Sequence, residues 1–386
     1  MAIVLFDNQY RKKLFPLTAT KAVADLRVGI LKVKDWWQVK TNQTISIHTA
    51  AYLQGLYAKI STEEHFWIDA SVLADDFLIH KILALATNEC LADEFGLIAG
   101  KATIEQFNNS ISVSYFKTII HIENVPRIEW PQQLFQLNDW LVREHFKLIV
   151  QDRSSQPISS TNQTISPENI FIEAGASVEF SILNASTGPI YIGKNATILE
   201  GSIIRGPFAL LENAAIKMGA KIYGATTIGV QSIAGGEIKN AILSDYSNKA
   251  HDGYLGDSII GEWCNLGAGT SNSNIKNTAG DVKLWNDGTN NYESAGQKCG
   301  VIMGDYTKVA INSCINTGSN FGVGCNVFGE GLLPTLLQHF SWGTQLQNKY
   351  QFDKLINDIN NWKKLKGKNL SEEEIEVLKS LYNNFN

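Results

Sequence analysis

The chain has 386 residues, 44% apolar and 18% charged content, and a formal net charge of -5. That length accommodates two or three domains with real cores, and the negative balance argues against nucleic acid or an anionic membrane surface as the main partner. No apolar run reaches the ~18 residues of a membrane span. The opening MAIVLFDNQYRKK puts its basic residues after the apolar ones, the reverse of a secretory leader. The five cysteines form no CxxC pair, so a reducing cytoplasm is the default.

Residues 1–152 read as an α/β domain with an open sheet. Runs with strand character (Ile3–Phe6, Thr44–His48, Phe66–Ile68) interleave with helical patterns (Val28–Trp37, Asp76–Ala86, Leu134–Ile149). A linker rich in Ser, Thr, Gln and Pro follows, Arg153–Pro167.

Residues 165–332 are different. They hold 25 of the 31 glycines, against four before and two after. Seven aliphatics, Ile192, Ile198, Ile204, Leu210, Ile216, Ile222 and Ile228, keep an unbroken spacing of six. Ile172 and Val178 start the same step; Leu266, Val309 and Ile315 continue broken versions of it. Six residues of helix rotate an anchor off its face, so the period excludes an amphipathic helix. A hexapeptide β-helix satisfies it, each coil using three short strands with the aliphatics inward and small residues at the turns. Two segments leave the pattern, Ser244–Tyr254 and Ser271–Lys298, and loops that leave a solenoid usually carry function. Residues 333–386 turn helical. Ser371 with Glu374 forms a capping box opening a helix over Ser371–Asn384, with Ile375, Leu378 and Leu381 on one face.

His251 is the sole imidazole between 165 and 332 and lies beside Lys249 and Asp252 in a glycine-bearing loop. An imidazole titrates near pH ~6.5 and can take a proton from an amine. Acyl transfer also needs donors for an oxyanion, and Gly267 and Gly269 bring bare backbone near a ligand. The plain alternative is a solvated surface histidine. A three-histidine metal site cannot be built here from imidazoles.

These residues carry a resemblance. The loop KAHDGYLGD (Lys249–Asp257), then NLGAGT (Asn265–Thr270), then Asn274, resembles the acetyltransferase half of the bacterial bifunctional enzymes that make UDP-N-acetylglucosamine. That family has a Lys-Ala-Gly-His loop, Tyr-Leu-Gly-Asp, Asn-Ile-Gly-Ala-Gly-Thr and a following Asn. GPFAL (Gly206–Leu210) is similar to its Gly-Pro-Phe-Ala-Arg stretch. The resemblance implies a left-handed parallel β-helix and His251 as the general base. Lys239, Tyr254, Asn265 and Asn274 would line the acceptor site, and the coils after Lys298 an acetyl-CoA groove between subunits. It also implies a homotrimer acting on a sugar phosphate or nucleotide sugar in the cytoplasm. Leu210 stands where the family has a phosphate-binding arginine, and the extra loop Gly280–Gln297 would alter the mouth of the site.

The first domain resembles the sugar nucleotidyltransferases, with Lys13, Leu14, Pro16, Leu17 and Thr18 in place of the family's Arg-Leu-x-Pro-Leu-Thr. The glycines of the phosphate loop are absent, and phosphates need close backbone approach. Lys13 and Lys21 would bind nucleotide, and Asp69 would hold Mg2+; equally, Arg11, Lys12, Lys13 and Lys21 form a solvated basic edge. Three functions stay open on the sequence: an acyltransferase, a nucleotidyltransferase working through the first domain, and a non-catalytic nucleotide-sugar-binding protein.

Overall fold

The computed structural model describes residues 2–107, 111–345 and 348–384. The N-terminal domain is a six-stranded mixed sheet in the order Ile45–His48, Ile3–Phe6, Glu64–Asp69, Gly96–Thr103, Glu89–Asp93, Thr118–His121. The first three strands are parallel and end together at Phe6, His48 and Asp69. Ligands of open α/β sheets bind outside such carboxyl ends. The predicted helix over Val28–Trp37 begins later, at Val33, because Arg27–Val28 and Leu31–Lys32 first form a small hairpin around Gly29, whose φ is +72°. The pattern Asp76–Ala86 is helical over Asp76–Leu83, and Leu134–Ile149 divides into a short helix, Gln133–Gln136, and a longer one, Asn138–Val150.

The hexads form a parallel β-solenoid of three faces. The first face stacks Ile170–Ile172, Ile190–Ile192, Phe208–Leu210 and Thr226–Ile228, and the second is an eight-stranded ladder from Ser177–Val178 to Asn326–Val327. The third stacks Ile182–Asn184, Ile203–Arg205 and Lys221–Tyr223. Two long strands, Glu237–Leu243 and Tyr254–Ile260, run from the third face into the first. All seven unbroken anchors lie in one buried core. Each such aliphatic contributes roughly 2 kcal/mol on burial. Turns between the first and second faces need the left-handed region; Asn195 and Asn213 adopt it, Asn being among the residues that tolerate it best.

The outer side of the first face is covered by the N-terminal domain: Ile242, Ile259 and Ile302 join the core of Ile3, Leu5 and Leu17. The polar excursion is a hairpin, Lys283–Asn286 with Asn291–Ser294. It packs on the N-terminal domain. Asn286 donates from Nδ2 to the Lys13 carbonyl at 2.8 Å, and Val282, Leu284 and Ala295 enter the N-terminal core.

The second face is covered by the C-terminal helices Phe352–Lys364 and Glu372–Asn384. The capping box forms as read: Glu374 N–H donates to Ser371 Oγ at 3.2 Å and Ser371 N–H to Glu374 Oε2 at 2.8 Å. Val377, Leu378 and Leu381 are its buried residues, while Ile375 lies at the margin. Among the described residues no helix is long and apolar enough to cross a membrane.

Candidate functional site

Strand Asn248–Lys249 is the second-face strand of its coil, and the corner Ala250–Gly253 leads into Tyr254–Ile260 on the third. Lys249 is 2% exposed. Its Nζ donates to the carbonyl of Gly235 at 3.1 Å and to that of His251. Burial pulls this ammonium down to about 8, against a weaker upward pull from Asp252. The His251 backbone is therefore tethered while its imidazole stays exposed, without a hydrogen bond among the described residues. The same corner carries Phe180, Met218 and Ile311 on other coils, and each is between 64% and 68% exposed.

Gly267 and Gly269 do not offer free donors. Their N–H groups donate to Val309 (2.9 Å) and Asp252 (3.1 Å) carbonyls. A Cβ on Gly269 would fall 2.1 Å from Asn312 Oδ1, so this glycine, at φ +75°, serves coil stacking.

On the third face, Lys239, Tyr254 and Asn274 come together. Glu237 pairs in register with Tyr254, and Lys239 with Gly256. Asn274 Nδ2 donates to the Tyr254 hydroxyl (3.2 Å) and to Asp257 Oδ2 (2.5 Å), while Asn240 Nδ2 donates to Asp257 Oδ1 (2.7 Å). Burial, with Asp257 beside it, pushes the Tyr254 phenol up to about 12, so it stays a donor. Lys239 makes no ion pair or hydrogen bond among the described residues. This cluster presents a cation, a phenol and an amide to a polyol or phosphate.

Asn265 lies elsewhere. It sits on the second face, in the ladder with Asn248 and Lys308. The C-terminal segment covers that ladder, with Lys308 Nζ 4.8 Å from the Trp362 ring and Lys366 Nζ 3.1 Å from Asn248 Oδ1. Within one chain Asn265 cannot meet a ligand held by Lys239 and Tyr254. Leu210 is an inward anchor, fully buried between Ile192 and Ile228. Its position is core, so no side chain there reaches a phosphate. Of the coils after Lys298, Ile302 is packed on the N-terminal domain and Lys308 under the C-terminal helices; Ile311 and Cys314 remain exposed.

A crevice of about 410 Å³ opens at the carboxyl ends of the parallel strands, lined among others by Asp7, Asn8, His48, Thr49 and Asp69. Asp69 is fully engaged. Oδ1 accepts from the Ser71 N–H and hydroxyl, both at 2.9 Å, and Oδ2 from Asn8 Nδ2 at 2.7 Å. Burial raises its pKa. Asp7 next to it is pushed by burial up to about 6, with Thr49 and the Val23 N–H on its oxygens. Among the described residues no group of three or more His, Cys, Asp or Glu could hold a metal ion. The residues present do not fit Mg2+: neither carboxylate has a free face. The glycine-rich turn is replaced by a 3-10 helix, Arg11–Leu14, whose Arg11 turns inward to the Thr18 carbonyl and the Tyr52 hydroxyl. Lys13 Nζ lies 4.6 Å from the ring centre of Tyr10 and 4.8 Å from that of Trp130.

The structure gives Lys21 carboxylate partners in place of an open position for a phosphate. Its Nζ lies 2.9 Å from Asp305 Oδ2 and 3.1 Å from Glu262 Oε1, both on the solenoid. Lys32 bridges Glu262 (3.0 Å) and Asp245 (3.2 Å), and Arg27 donates twice to Asp245. These three acids went unread in the sequence, yet a signal was there. Asp245-Tyr246, Glu262-Trp263 and Asp305-Tyr306 repeat an acid–aromatic pair on three stacked coils. The acids hold the N-terminal domain. The aromatics face the tail: Lys363 Nζ lies 5.3 Å from the Trp263 ring centre, and the Tyr306 hydroxyl donates to Glu374 at 3.1 Å.

Residues 3–154 match the family described as Sugar nucleotidyl transferase. The bifunctional protein GlmU of Methanocaldococcus jannaschii is 38% identical over 89 residues, which is 23% of this chain and 21% of that protein. GlmU of Gloeobacter violaceus is 28% identical over 160 residues, covering 42% of this chain and 27% of its own length. The matches thus span about a quarter of the length of those two relatives. The solved UDP-N-acetylglucosamine acyltransferase from Campylobacter jejuni aligns with 58% of this chain and 96% of its own, at 14% identity and a TM-score of 0.23, too low to carry a structural argument. Residues 3–154 thus match the sugar nucleotidyl transferase family, and part of the chain is similar to the bifunctional GlmU proteins.

Proposed function

We propose that the chain is a coenzyme-A-dependent acyltransferase of amino-sugar or nucleotide-sugar metabolism, with His251 as its general base. The observation that carries this reading is an open imidazole three residues from Tyr254 and its Lys239–Asn274 surroundings. Lys239 binds a phosphate of the acceptor, and Tyr254 and Asn274 orient its sugar hydroxyls. A CoA thioester, when bound, supplies an acyl carbon open to attack by an amine. Its apolar arm fits the exposed Ile311 and Cys314, which continue the His251 side of the prism. His251 takes a proton from the acceptor nitrogen as the N–acyl bond forms, and returns it to the thiolate as the C–S bond breaks.

A single flat prism leaves this imidazole in water. A second copy, in a closed threefold homotrimer, supplies the missing wall, and Phe180, Met218 and Ile311 give it an apolar ridge to cover. The test is thiol release from acetyl-CoA with a panel of amino-sugar phosphates. His251→Ala lowers the rate at least ~100-fold with an unchanged melting temperature. Equal rates in the two proteins would remove His251 as the base.

A second reading is sugar nucleotidyl transfer through the first domain, favoured by the family match of residues 3–154 and the crevice at the strand ends. It requires Mg2+-dependent pyrophosphate release from a nucleoside triphosphate and a sugar 1-phosphate. The saturated Asp69 and the closed 3-10 turn speak for a domain that binds without turning over. Nucleotide-sugar binding with neither thiol nor pyrophosphate released would leave the non-catalytic reading standing.

A further inference from the structure

A second cavity, of about 400 Å³, opens on the third face beneath the start of helix Asn138–Val150. Its lining includes Arg205, Lys221, Tyr223, Pro207, Thr187 and Asp139. The helix is fixed over it: Asn138 Nδ2 donates to the Ala225 carbonyl at 2.7 Å, and Arg143 donates to the Thr187 carbonyl. Asp139 is taken by Arg143, whose Nε lies 2.6 Å from Oδ1. Arg205 and Lys221 are exposed and make no ion pair or hydrogen bond among the described residues. The cavity therefore holds two cations outside any ion pair among the described residues; the nearest acid along the strands, Glu237, is the cross-strand neighbour of Lys221 and accepts from the Tyr223 hydroxyl at 2.6 Å. Nothing in the fold needs them there, since the inward residues of the same strands, Ile204 and Ile222, do the packing.

Their position is informative. Tyr254, Lys239, Lys221 and Arg205 lie on four successive coils of one face. Coils are stacked about 4.8 Å apart. Along the stack Lys239 lies one coil from the phenol next to His251, Lys221 two coils and Arg205 three, axial offsets of about 5, 10 and 14 Å; Lys221 shares the Tyr254 column with Glu237 between them, and Arg205 shares the Lys239 column with Tyr223 between them. A hexosamine with a single phosphate is satisfied at the first step. An anion that also reaches Lys221 and Arg205 has to extend at least one phosphate further, and a guanidinium recognises phosphate in bidentate fashion.

We infer that Arg205 and Lys221 form a subsite for the distal phosphate of the acceptor, and that the acceptor is a diphosphate-linked amino sugar rather than a hexosamine monophosphate. The subsite also accounts for Leu210. With that position turned into the core, the cationic contact to the acceptor comes from a different coil. This inference rests on the acyltransferase reading for the word acceptor, but the anion site itself does not.

The experiment is calorimetric titration of the full chain with UDP-glucosamine, glucosamine 1-phosphate and inorganic pyrophosphate. Wild type binds UDP-glucosamine at least ~10-fold more tightly than glucosamine 1-phosphate, the scale of one lost charge-assisted contact. The double variant Arg205→Ala, Lys221→Ala erases that difference and weakens pyrophosphate, leaves glucosamine 1-phosphate within about twofold, and keeps its melting temperature because both side chains are exposed. Arg205→Lys retains part of the preference. The inference is overturned if the double variant binds UDP-glucosamine and pyrophosphate as wild type does, if all three probes weaken equally, or if wild type shows no preference. A wild type that releases no thiol from acetyl-CoA with any of these amino sugars, yet keeps Arg205-dependent binding, would reject the acyltransferase reading and keep the site.

Discussion

Lys21 separates two accounts of the first domain most cleanly. As a nucleotide ligand it would be dispensable for stability. In the structure it is buried at the junction with the solenoid, where Asp305 and Glu262 outweigh its desolvation and hold its ammonium above the ordinary lysine value. Lys21→Met leaves Asp305 with Thr20 as its remaining side-chain partner and Glu262 with Lys32. Removing one partner of a buried pair costs about 3–5 kcal/mol. An unfolding entropy of about 2.1 cal/mol/K per residue gives roughly 0.8 kcal/mol per degree for a chain of this length. The expected fall in melting temperature is therefore about 5 °C, in a single transition because one core spans both domains. Adding Asp305→Asn to Lys21→Met recovers part of the loss, since the stranded carboxylate is gone. The assay is scanning calorimetry beside titration with UTP. A variant that melts like wild type but loses UTP affinity would refute the tether and restore the nucleotide role.

Leu210→Arg will not rebuild a phosphate site. It buries a guanidinium between Ile192 and Ile228, at a cost of several kcal/mol, read as aggregation or a lower urea midpoint with no gain in sugar-phosphate affinity. Acid also destabilises through His339. Burial holds this imidazole down to about 4, and its Nδ1 accepts from the Val323 N–H at 2.9 Å. The unfolded chain takes up a proton below pH ~6.5 and the folded chain does not, so stability falls as pH drops from there towards the folded value. The slope is about 1.4 kcal/mol per pH unit, and His339→Gln removes it from the urea midpoint. An identical pH dependence in wild type and variant would contradict the assignment. Asp7, pushed up to about 6, works in the opposite direction in both proteins and cancels in the comparison.

The hexads were legible because their cause is local. Each anchor must face inward whatever surrounds the prism, so Ile192 through Ile228 announce the solenoid by spacing alone. The strands Ile3–Phe6 and Ile45–His48 and the Ser371 cap follow from similarly short-range rules. The outward positions were harder. Lys21, Asn265 and the hairpin Lys283–Ser294 take their roles from what another segment lays over them, and side-chain type does not state which segment that is. Lys21 keeps a basic character that suits a phosphate or a carboxylate equally. The glycines at 267 and 269 looked like ligand-facing backbone; their chemistry is the same in a tightly stacked coil, and the neighbouring coil takes their N–H groups.

Coverage explains why the candidate site lies where it does. A three-faced prism offers three surfaces to build on. The first is spent on the N-terminal domain and the second on the C-terminal helices, and the acid–aromatic pairs at their shared corner fasten both. The third face and its corner with the second stay open, and Lys239, Tyr254, Asn274, Arg205 and Lys221 all lie on that face, with His251 at the corner. A flat sheet face is a poor pocket, because binding sites gain their selectivity from concavity and excluded water. At one end the first turn of helix Asn138–Val150, which packs on the first face, borders the Arg205–Lys221 cavity through Asp139. At the His251 end the chain has no roof of its own, only an exposed apolar ridge. On the proposed reading, anion recognition is complete within one chain, whereas proton transfer is not. A dissociated subunit should accordingly keep its affinity for pyrophosphate while losing thiol release, and a subunit that loses both together would show that the two ends are not divided in this way.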